Sequence, residues 1–554
     1  MARGLALAAS IAASLLAVSG AGGASGAPLQ TPKRGGTVVV GVPSTFEPVC
    51  FNAALAVCWA GGNLGFLHIL DGLVLARPFE VAAGAALRPD LVSHVTVRKE
   101  PFTLTYHIRE DARWSDGVPV TARDFALTYR FIRGSDVFPD HPFRDATATS
   151  VDARTFRLTF GRRLSATESR RLFPPVVPSH ALRGEDLSSP DLWRETVVNP
   201  RTGAPIGSGP FVMASRERGR RITLVRNPRY REAEKPYLAR LVFSFLPADE
   251  LADALRNGRV DLVLPGTAPA NAALQEVRRA PAPGVRVTSV PSTGWEHLDI
   301  RVGPGGHPAL RSKLVRRALA YALDREALVR TLEERVYGRS TPRLSPLESV
   351  VFLPLSRFYE PNWRQYRYRP REARRLLDRA GCRMGADGIR VCSGERLSLR
   401  VGTTAGAEWR RVTLELLQAQ LRRQGIEVVL QYLPGVGVVA RALESGNLDL
   451  GLYAWVTDGL PSDSAIFKCG GALNFTGHCS RLVTRELDNA DRVLDEASQA
   501  RAMNRADRLL ARDVPVIPLY QQPSVRAYRA GLRNVDVTHP TNLLWNAEDW
   551  WVDR

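Results

Sequence analysis

"YHIREDARWSDGVPVTARDFALTYRFI" spans Tyr106 to Ile132. Tyr106 and Ile108 fall on one face of a strand. Asp116-Gly117 supplies turn chemistry, and Thr121 stands at the N-cap position of a helix that begins at Ala122. Strand, turn and helix in close succession are the building unit of an α/β chain. The pattern continues on either side. "GGTVVVGVP" (Gly35 to Pro43) reads as a strand closed by a proline turn, and "VDARTFRLTF" (Val151 to Phe160) alternates as a strand does. "PIGSGPFVMASRERGRRITLVRNPRY" reads as a hairpin with its tip at Arg218-Gly219. "ADELADALRNGRVDLVL" reads as a glycine-stopped helix returning to strand at Val260 to Leu264. In the second half, "HPALRSKLVRRALAYALDREALVRTL" is a long amphipathic segment, and "WRRVTLELLQAQLRRQGIEVVLQYL" is helix, glycine stop at Gly425 and strand. No fixed-period repeat interrupts the alternation. With 554 residues, the chain exceeds one core and should form two or three domains.

Composition narrows the class. Hydrophobic content of 44% and charged content of 24% are those of a globular protein. Arg3 precedes an Ala/Leu/Ile run from Leu5 to Val18, followed by small residues, which reads as a secretory signal peptide over residues 1–27, with an uncleaved anchor as the alternative. No cysteine lies near that region to carry a lipid anchor. The net charge of +19 comes almost entirely from arginine, because lysine occurs only at Lys33, Lys99, Lys235, Lys313 and Lys468. The arginines are spread along the chain rather than gathered in a stripe with stacking aromatics, which argues against nucleic acid as a partner. They read as coding bias with solubility as a by-product.

The six cysteines form three local pairs: Cys50 with Cys58, Cys382 with Cys392, and Cys469 with Cys479. Local disulfides in an oxidising compartment are the economical reading. No C-x-x-C occurs and the nine histidines are scattered, so no metal site is expected. "GVGVVA" (Gly435 to Ala440) fits a dinucleotide fingerprint only in its glycines. The required acid after the next strand is misplaced, and the segment reads as a helix-entry loop. No G-x-S-x-G elbow, phosphate loop or paired-carboxylate arrangement stands out, so neither catalysis nor a cofactor is implied.

"GNLDLGLYAWVTDGLPSD" (Gly446 to Asp463) holds an apolar run that ends in a lone acid. Leu450, Leu452 and Ala454 alternate with Gly451, Tyr453 and Trp455, and neither face carries charge, as for a strand covered on both sides. Asp458 beyond its end has two readings. It belongs to a turn with Gly459 and Pro461, or it is a counter-charge for a cationic ligand group.

Several stretches together resemble the extracytoplasmic solute-binding proteins of family 5, the dipeptide-, oligopeptide- and nickel-binding group that serves ABC importers. Tyr106 to Ile132 resembles that family's Trp, D/N-G-x-P, T-A-x-D hallmark, and Pro205 to Tyr230 its P-x-G-[ST]-G-P segment ending in N-P-x-Y. "RRALAYALDR", "YRPREARRLLDRAG", "LQAQLRRQGIEVVL" and "DVPVIPLY" resemble further family segments in order. The resemblance implies a two-lobed periplasmic-binding-protein type II fold with a hinged ligand cleft. Lobe one would comprise residues 28–65, an extra subdomain over 66–205, residues 206–291 and a C-terminal return over 520–554. Lobe two would span 292–519, with crossings in "VPSTGWEHLDI" and "IPLYQQPS".

The resemblance also implies site residues. In the peptide-binding members a Trp-x-x-Asp at a lobe-two strand end faces the cleft, and its aspartate pairs with the ligand's α-ammonium. Trp455, Val456, Thr457 and Asp458 match it residue by residue, and the cystine-bounded "FKCGGALNFTGHCS" follows in the family's place. Phe46, Trp59 and Trp409 are further aromatic candidates for ligand contact, for each of which core packing accounts as well. "VGTTAGAEW" (Val401 to Trp409) lacks the arginine with which dipeptide binders take the ligand carboxylate, so strict dipeptide specificity is not expected. The expected protein is a monomeric, exported, non-catalytic binder, secreted and held in the periplasm or at the outer face of the cell membrane. It would deliver a peptide or peptide-like solute to a membrane permease. Oligosaccharides, opine-like compounds and metal chelates are the rival ligands, and a secreted hydrolase is the rival of another class.

Overall fold

Alternation of Val38, Val40 and Val42, all fully buried, starts a ten-stranded mixed sheet at strand β1 (Thr37–Pro43). The structure, a computed structural model, describes residues 31–44, 72–81, 87–135, 141–189, 192, 197–265, 268–338, 343–457, 462, 464–539 and 542–553. The expected signal peptide, Phe46, Cys50, Cys58, Trp59 and Asp458 lie outside them. The remaining strands of the sheet are β2 (Phe211–Glu217), β3 (Arg221–Arg226), β4 (Arg240–Leu246), β5 (Leu262–Val263), β6 (Val285–Ile300), β7 (Ser398–Thr404), β8 (Glu427–Leu433), β9 (Leu450–Val456) and β10 (Val516–Arg529). Their spatial order is β8-β7-β9-β6-β10-β5-β1-β4-β3-β2.

Strands β6 and β10, of 16 and 14 residues, pair antiparallel at the centre and carry the sheet from one hydrophobic core to another. At about 3.3 Å per residue they are long enough to serve both. The first core gathers Val40, Leu224, Phe243 and Trp550 with the aromatic residues of a four-stranded sheet. The second gathers Leu298, Leu319, Leu399, Leu450 and Leu519. One end of the β6–β10 pair packs Val285, Val287, Val525 and Ala527 on the Leu251–Arg256 side, and the other end contributes Trp295, Ile300, Ile517 and Tyr520 to the second core.

Local chemistry explains the elements. Thr121 and Asp124 form a capping box at the head of helix Ala122–Gly134, and Asp124 also accepts from the Ser179 N–H at 2.8 Å. Phe125 of this helix packs on Tyr106, Phe156 and Phe173 of the subdomain core. Gly219 at the β2–β3 hairpin tip has φ +69°, a conformation for which glycine suffers no Cβ clash. The amphipathic stretch from His307 to Leu332 departs from the sequence reading by breaking into a turn over Pro308–Arg311 and two helices, Lys313–Ala322 and Arg325–Leu332. Leu323 is extended, and the Asp324 carboxylate accepts the Ala327 N–H at 2.9 Å. A short acceptor that caps a new helix competes with continuing the old one.

Cys382 bonds to Cys392 and Cys469 to Cys479, and no described cysteine is free. Away from the central strands, the two cores also meet at a second place. The Ala166 N–H donates to Val493 O at 3.0 Å, Thr167 Oγ1 donates to Gln499 Oε1 at 3.1 Å, and Leu494 packs against the first core.

In the second core, the Asp507 carboxylate is fully buried and accepts from Trp363 Nε1 at 2.8 Å and Asn362 Nδ2 at 2.9 Å. Burial outweighs those bonds and pushes its pKa up to about 6. The folded pKa lies above the unfolded one, so the group's contribution is whole below the unfolded value and is lost as pH rises through about 6. Relative to Asp507→Asn, the native protein should gain up to about 3 kcal/mol of unfolding free energy between pH 7 and pH 4. Urea unfolding across that range measures it, and a pH-independent difference would refute the assignment.

Candidate functional site

The end of β9 is held at the point where the sheet passes between cores. Trp455 pairs with Trp295 and Val456 with Gly294 on β6, and the Thr457 N–H donates to Thr293 O at 3.1 Å. Here the β6–β10 ladder is broken. Pro291 pairs with Pro523 and Trp295 with Gln521, so Ser292, Thr293 and Gly294 stand opposite Gln522 alone. Such a bulge bends the strand and frees backbone from the ladder. A Cβ on Gly294 would lie 2.5 Å from Gln522 Oε1, so a larger residue there would push the Gln522 amide out of its present position.

Gln522 leads to a buried ion pair. Its Nε2 donates to Glu296 Oε1 at 2.6 Å, and the same oxygen accepts from Trp409 Nε1 at 2.8 Å and Arg410 Nε at 3.0 Å. The Arg410 Nη1 donates to Thr404 Oγ1 at 2.6 Å. Both charged side chains are almost wholly enclosed, at 1% exposure for Glu296 and 8% for Arg410. Trp409 and Arg410 open the helix Glu408–Arg422, whose start is thereby tied to β6 and β10. Nearby, burial holds the Tyr337 and Tyr520 phenols well above their ordinary range, with the Glu296 charge adding to the effect.

An aromatic column stands on the other side of the same strand. The rings of His297 and Trp455 stack at 6.1 Å, and Trp455 and Phe475 at 6.0 Å. Phe475 lies in the loop closed by Cys469–Cys479, so the disulfide loop backs the strand end. His297 is fully buried, and its Nε2 lies 3.6 Å from Asp299 Oδ1. Neither its ring nitrogens nor the Trp455 indole N–H has a hydrogen-bond partner among the described residues. The Tyr453 hydroxyl donates to Asp299.

The expected site residues are therefore placed unequally. Trp455 is half-buried in the column, Val456 is 72% exposed, and Thr457 follows at the bulge. Trp409 is half-buried and its indole N–H is taken up by Glu296. Asp449, at the start of the strand after "GVGVVA", is taken up by Arg400 and the His307 N–H. Sequence reading missed Glu296, Arg410 and Gln522. The signal was present in "WEHLD", where three ionisable residues occupy a strand that has to be buried to join two cores. Among the described residues no cluster suited to a metal ion occurs.

A family model, Bacterial extracellular solute-binding proteins, family 5 Middle, matches residues 86–474. The chain is 28% identical over 507 residues to the oligopeptide-binding protein OppA of Mycobacterium tuberculosis (strain ATCC 25618 / H37Rv), covering 88% of this chain and 82% of that one. Among solved structures, a periplasmic EDTA-binding protein, EppA, superposes with a TM-score of 0.77 at 22% identity over 95% of this chain and 98% of its own. The oligopeptide-binding protein AppA from Bacillus subtilis, in complex with a nonapeptide, gives 0.70 at 19% identity over 95% and 100%. These likenesses show the two-lobed fold.

Removing either member of the Glu296–Arg410 pair leaves the other charge buried and unpaired. Glu296→Gln and Arg410→Met should each cost about 3–5 kcal/mol of unfolding free energy, and the double variant clearly less than their sum. Urea denaturation of the four proteins gives the coupling, and additive losses would show that the two charges do not support each other.

Proposed function

The chain belongs to the bacterial extracellular solute-binding proteins of family 5, and from that premise we propose that it captures a peptide or peptide-like solute between two lobes and delivers it to an ABC permease. The observation that carries the reading is the placement of Trp455, Val456 and Thr457 by strand register against the β6 bulge, where the cores meet. A ligand seated there touches both halves, and closing them removes it from water. Asp458, the next residue, is proposed as the counter-charge for the ligand's ammonium group, which needs a fixed partner once water is excluded. Trp455 would form one wall of the site, with Phe46 and Trp59 proposed for the first lobe.

The same reading proposes lobe one as 28–65, 66–205, 206–291 and 520–554, and lobe two as 292–519. The distribution of the two cores supports it. It further proposes an exported, monomeric binder without catalysis, with Cys50 and Cys58 joined as a third local disulfide. Likeness to an oligopeptide-binding protein over most of both chains supports the peptide class. A metal chelate is the second reading, favoured by the superposition on the EDTA-binding EppA.

Calorimetry against peptides, oligosaccharides and metal–EDTA chelates, with small-angle scattering of each complex, tests the proposal. A peptide should bind one to one and reduce the radius of gyration, while a chelate binding in its place would favour the second reading. Asp458→Asn should lower affinity for the free-amine peptide by about two to three and a half decades, the equivalent of roughly 3–5 kcal/mol. N-acetylating the peptide should cost the native protein a similar amount and the variant little more. A variant that keeps its full preference for the free amine would reassign Asp458 to the turn before Pro461.

A further inference from the structure

Between Glu360 and Arg383 the chain carries eight arginines against three acids, and the fold neutralises all three acids. Glu360 pairs with Arg508 at 2.6 Å, Glu372 with Arg375 at 2.7 Å, and Asp378 with the buried Arg390 at 2.6 Å. Arg364 lies 3.7 Å from Glu348. Arg367, Arg369, Arg371, Arg374, Arg379 and Arg383 remain, all exposed, and none has a carboxylate within salt-bridge distance among the described residues. Arg374 reaches only the Gln424 amide oxygen, and Arg383 only the Asp378 carbonyl, each at 3.3 Å. The helix Pro370–Arg379 buries Ala373, Leu376 and Leu377, and the spacing of Arg371, Arg374 and Arg375 sets them on the opposite face. Arg369 at the N-cap and Arg371 in the first turn stand at the positive end of the helix dipole, and Arg369 makes no side-chain capping bond. Helix stability would favour a hydroxyl or an acid at these positions. Coding bias accounts for arginine over lysine, and not for its unpaired gathering on one face. Tyr368, 37% exposed, stands between two of these arginines.

We propose that this face docks the protein on the phosphate headgroups of an anionic membrane. Six guanidiniums spread along a ten-residue helix and the segments leading in and out of it exceed what one small anion can engage. A surface of repeated phosphates can engage them together, and the planar guanidinium fork meets each phosphate with two donors. Near an anionic bilayer each such arginine is worth about fivefold in partition. The attachment needs no covalent lipid, reverses readily and weakens as salt screens the charges. It keeps the protein close to the membrane without fixing it there. The inference is independent of what the cleft binds, because it uses none of the residues assigned to the ligand site.

The test uses the exported protein free of residues 1–27, so that the leader cannot itself insert, and reads co-sedimentation with vesicles. One set is phosphatidylcholine alone and the other is phosphatidylcholine mixed with phosphatidylglycerol. The native protein should bind the anionic vesicles at low salt, release them at high salt and ignore the neutral ones. Arg367→Gln, Arg371→Gln, Arg374→Gln and Arg379→Gln combined should lower partition by about a hundredfold or more. A control combines Arg98→Gln, Arg130→Gln, Arg201→Gln and Arg286→Gln, which removes the same charge from exposed arginines of the other half. It should stay within about fivefold of the native protein, the scale of one charge. Equal binding to both vesicle types, or an equal loss in the control, overturns the inference. So does retention on a soluble polyanion such as heparin with no vesicle binding, which would assign the face to a soluble acidic partner. The native comparison of the two vesicle types stands even if a variant fails to fold.

Discussion

Two strands bear the connection between halves, and much else in the molecule follows from what it costs to bury them. β6 and β10 run from the cluster on the Leu251–Arg256 side to the second core, so most side chains on them are packed in a cluster or placed at the joint. A straight, fully paired ribbon would fix the halves in one orientation. The break at Ser292 to Gly294 removes backbone pairing at the crossing, and the Gln522 amide fills the space and bonds to the Glu296 carboxylate. The joint thus replaces ladder hydrogen bonds with side-chain bonds around one ion pair. Such bonds can rearrange without unzipping the strands on either side.

The arginine-rich composition takes a different meaning in the fold. Read from the sequence, it is coding bias with solubility as a by-product. In the structure several guanidiniums are buried and bonded to backbone carbonyls. Arg325 donates to Leu347 O, Pro518 O and Tyr366 O, and Arg316 to Leu310 O, Arg311 O and Asp513 O. Arg301 reaches Pro304 O and Phe475 O, tying the disulfide loop to the strand it backs. A guanidinium with five donors on a planar fork can satisfy several irregular carbonyls at once, which an ammonium on a flexible stem does less well. Burial lowers Arg325 to about 10, still charged at neutral pH.

What was legible in the sequence was local. The Thr121–Asp124 cap, the turn at Gly219, the glycine stop at Gly425 and the partners of Cys382 and Cys469 are set by residues close together along the chain. The strand Leu450–Val456 was legible because both its faces are apolar, and the structure covers both, with Leu452 in one cluster and Tyr453 in another. Of the joint, only the buried charge in "WEHLD" was legible, and its partners were not. Glu296 and Arg410 lie 114 positions apart and Gln522 a further 112, and no periodicity links residues that meet only because two strands cross. The bulge escaped for a related reason, since its register is set by the partner strand. The break at Leu323 escaped because an apolar helical period continues through it, while one carboxylate decides where the next helix begins.

The second meeting place of the two halves, at Ala166, Thr167, Val493, Leu494 and Gln499, is made without the described site residues Trp409, Trp455, Val456 and Thr457. Two hydrogen bonds and one half-buried leucine side chain therefore favour this arrangement of the halves whatever occupies the cleft. Their free energy sets what fraction of the empty protein holds this arrangement, and apparent affinity scales with the fraction of the protein that is competent to bind. The ranking of ligands belongs to the cleft. The absolute concentration at which any of them is captured is also written into this remote contact, which multiplies every affinity by one common factor. Substitution there would retune the protein to a richer or poorer medium while leaving its preferences in the same order.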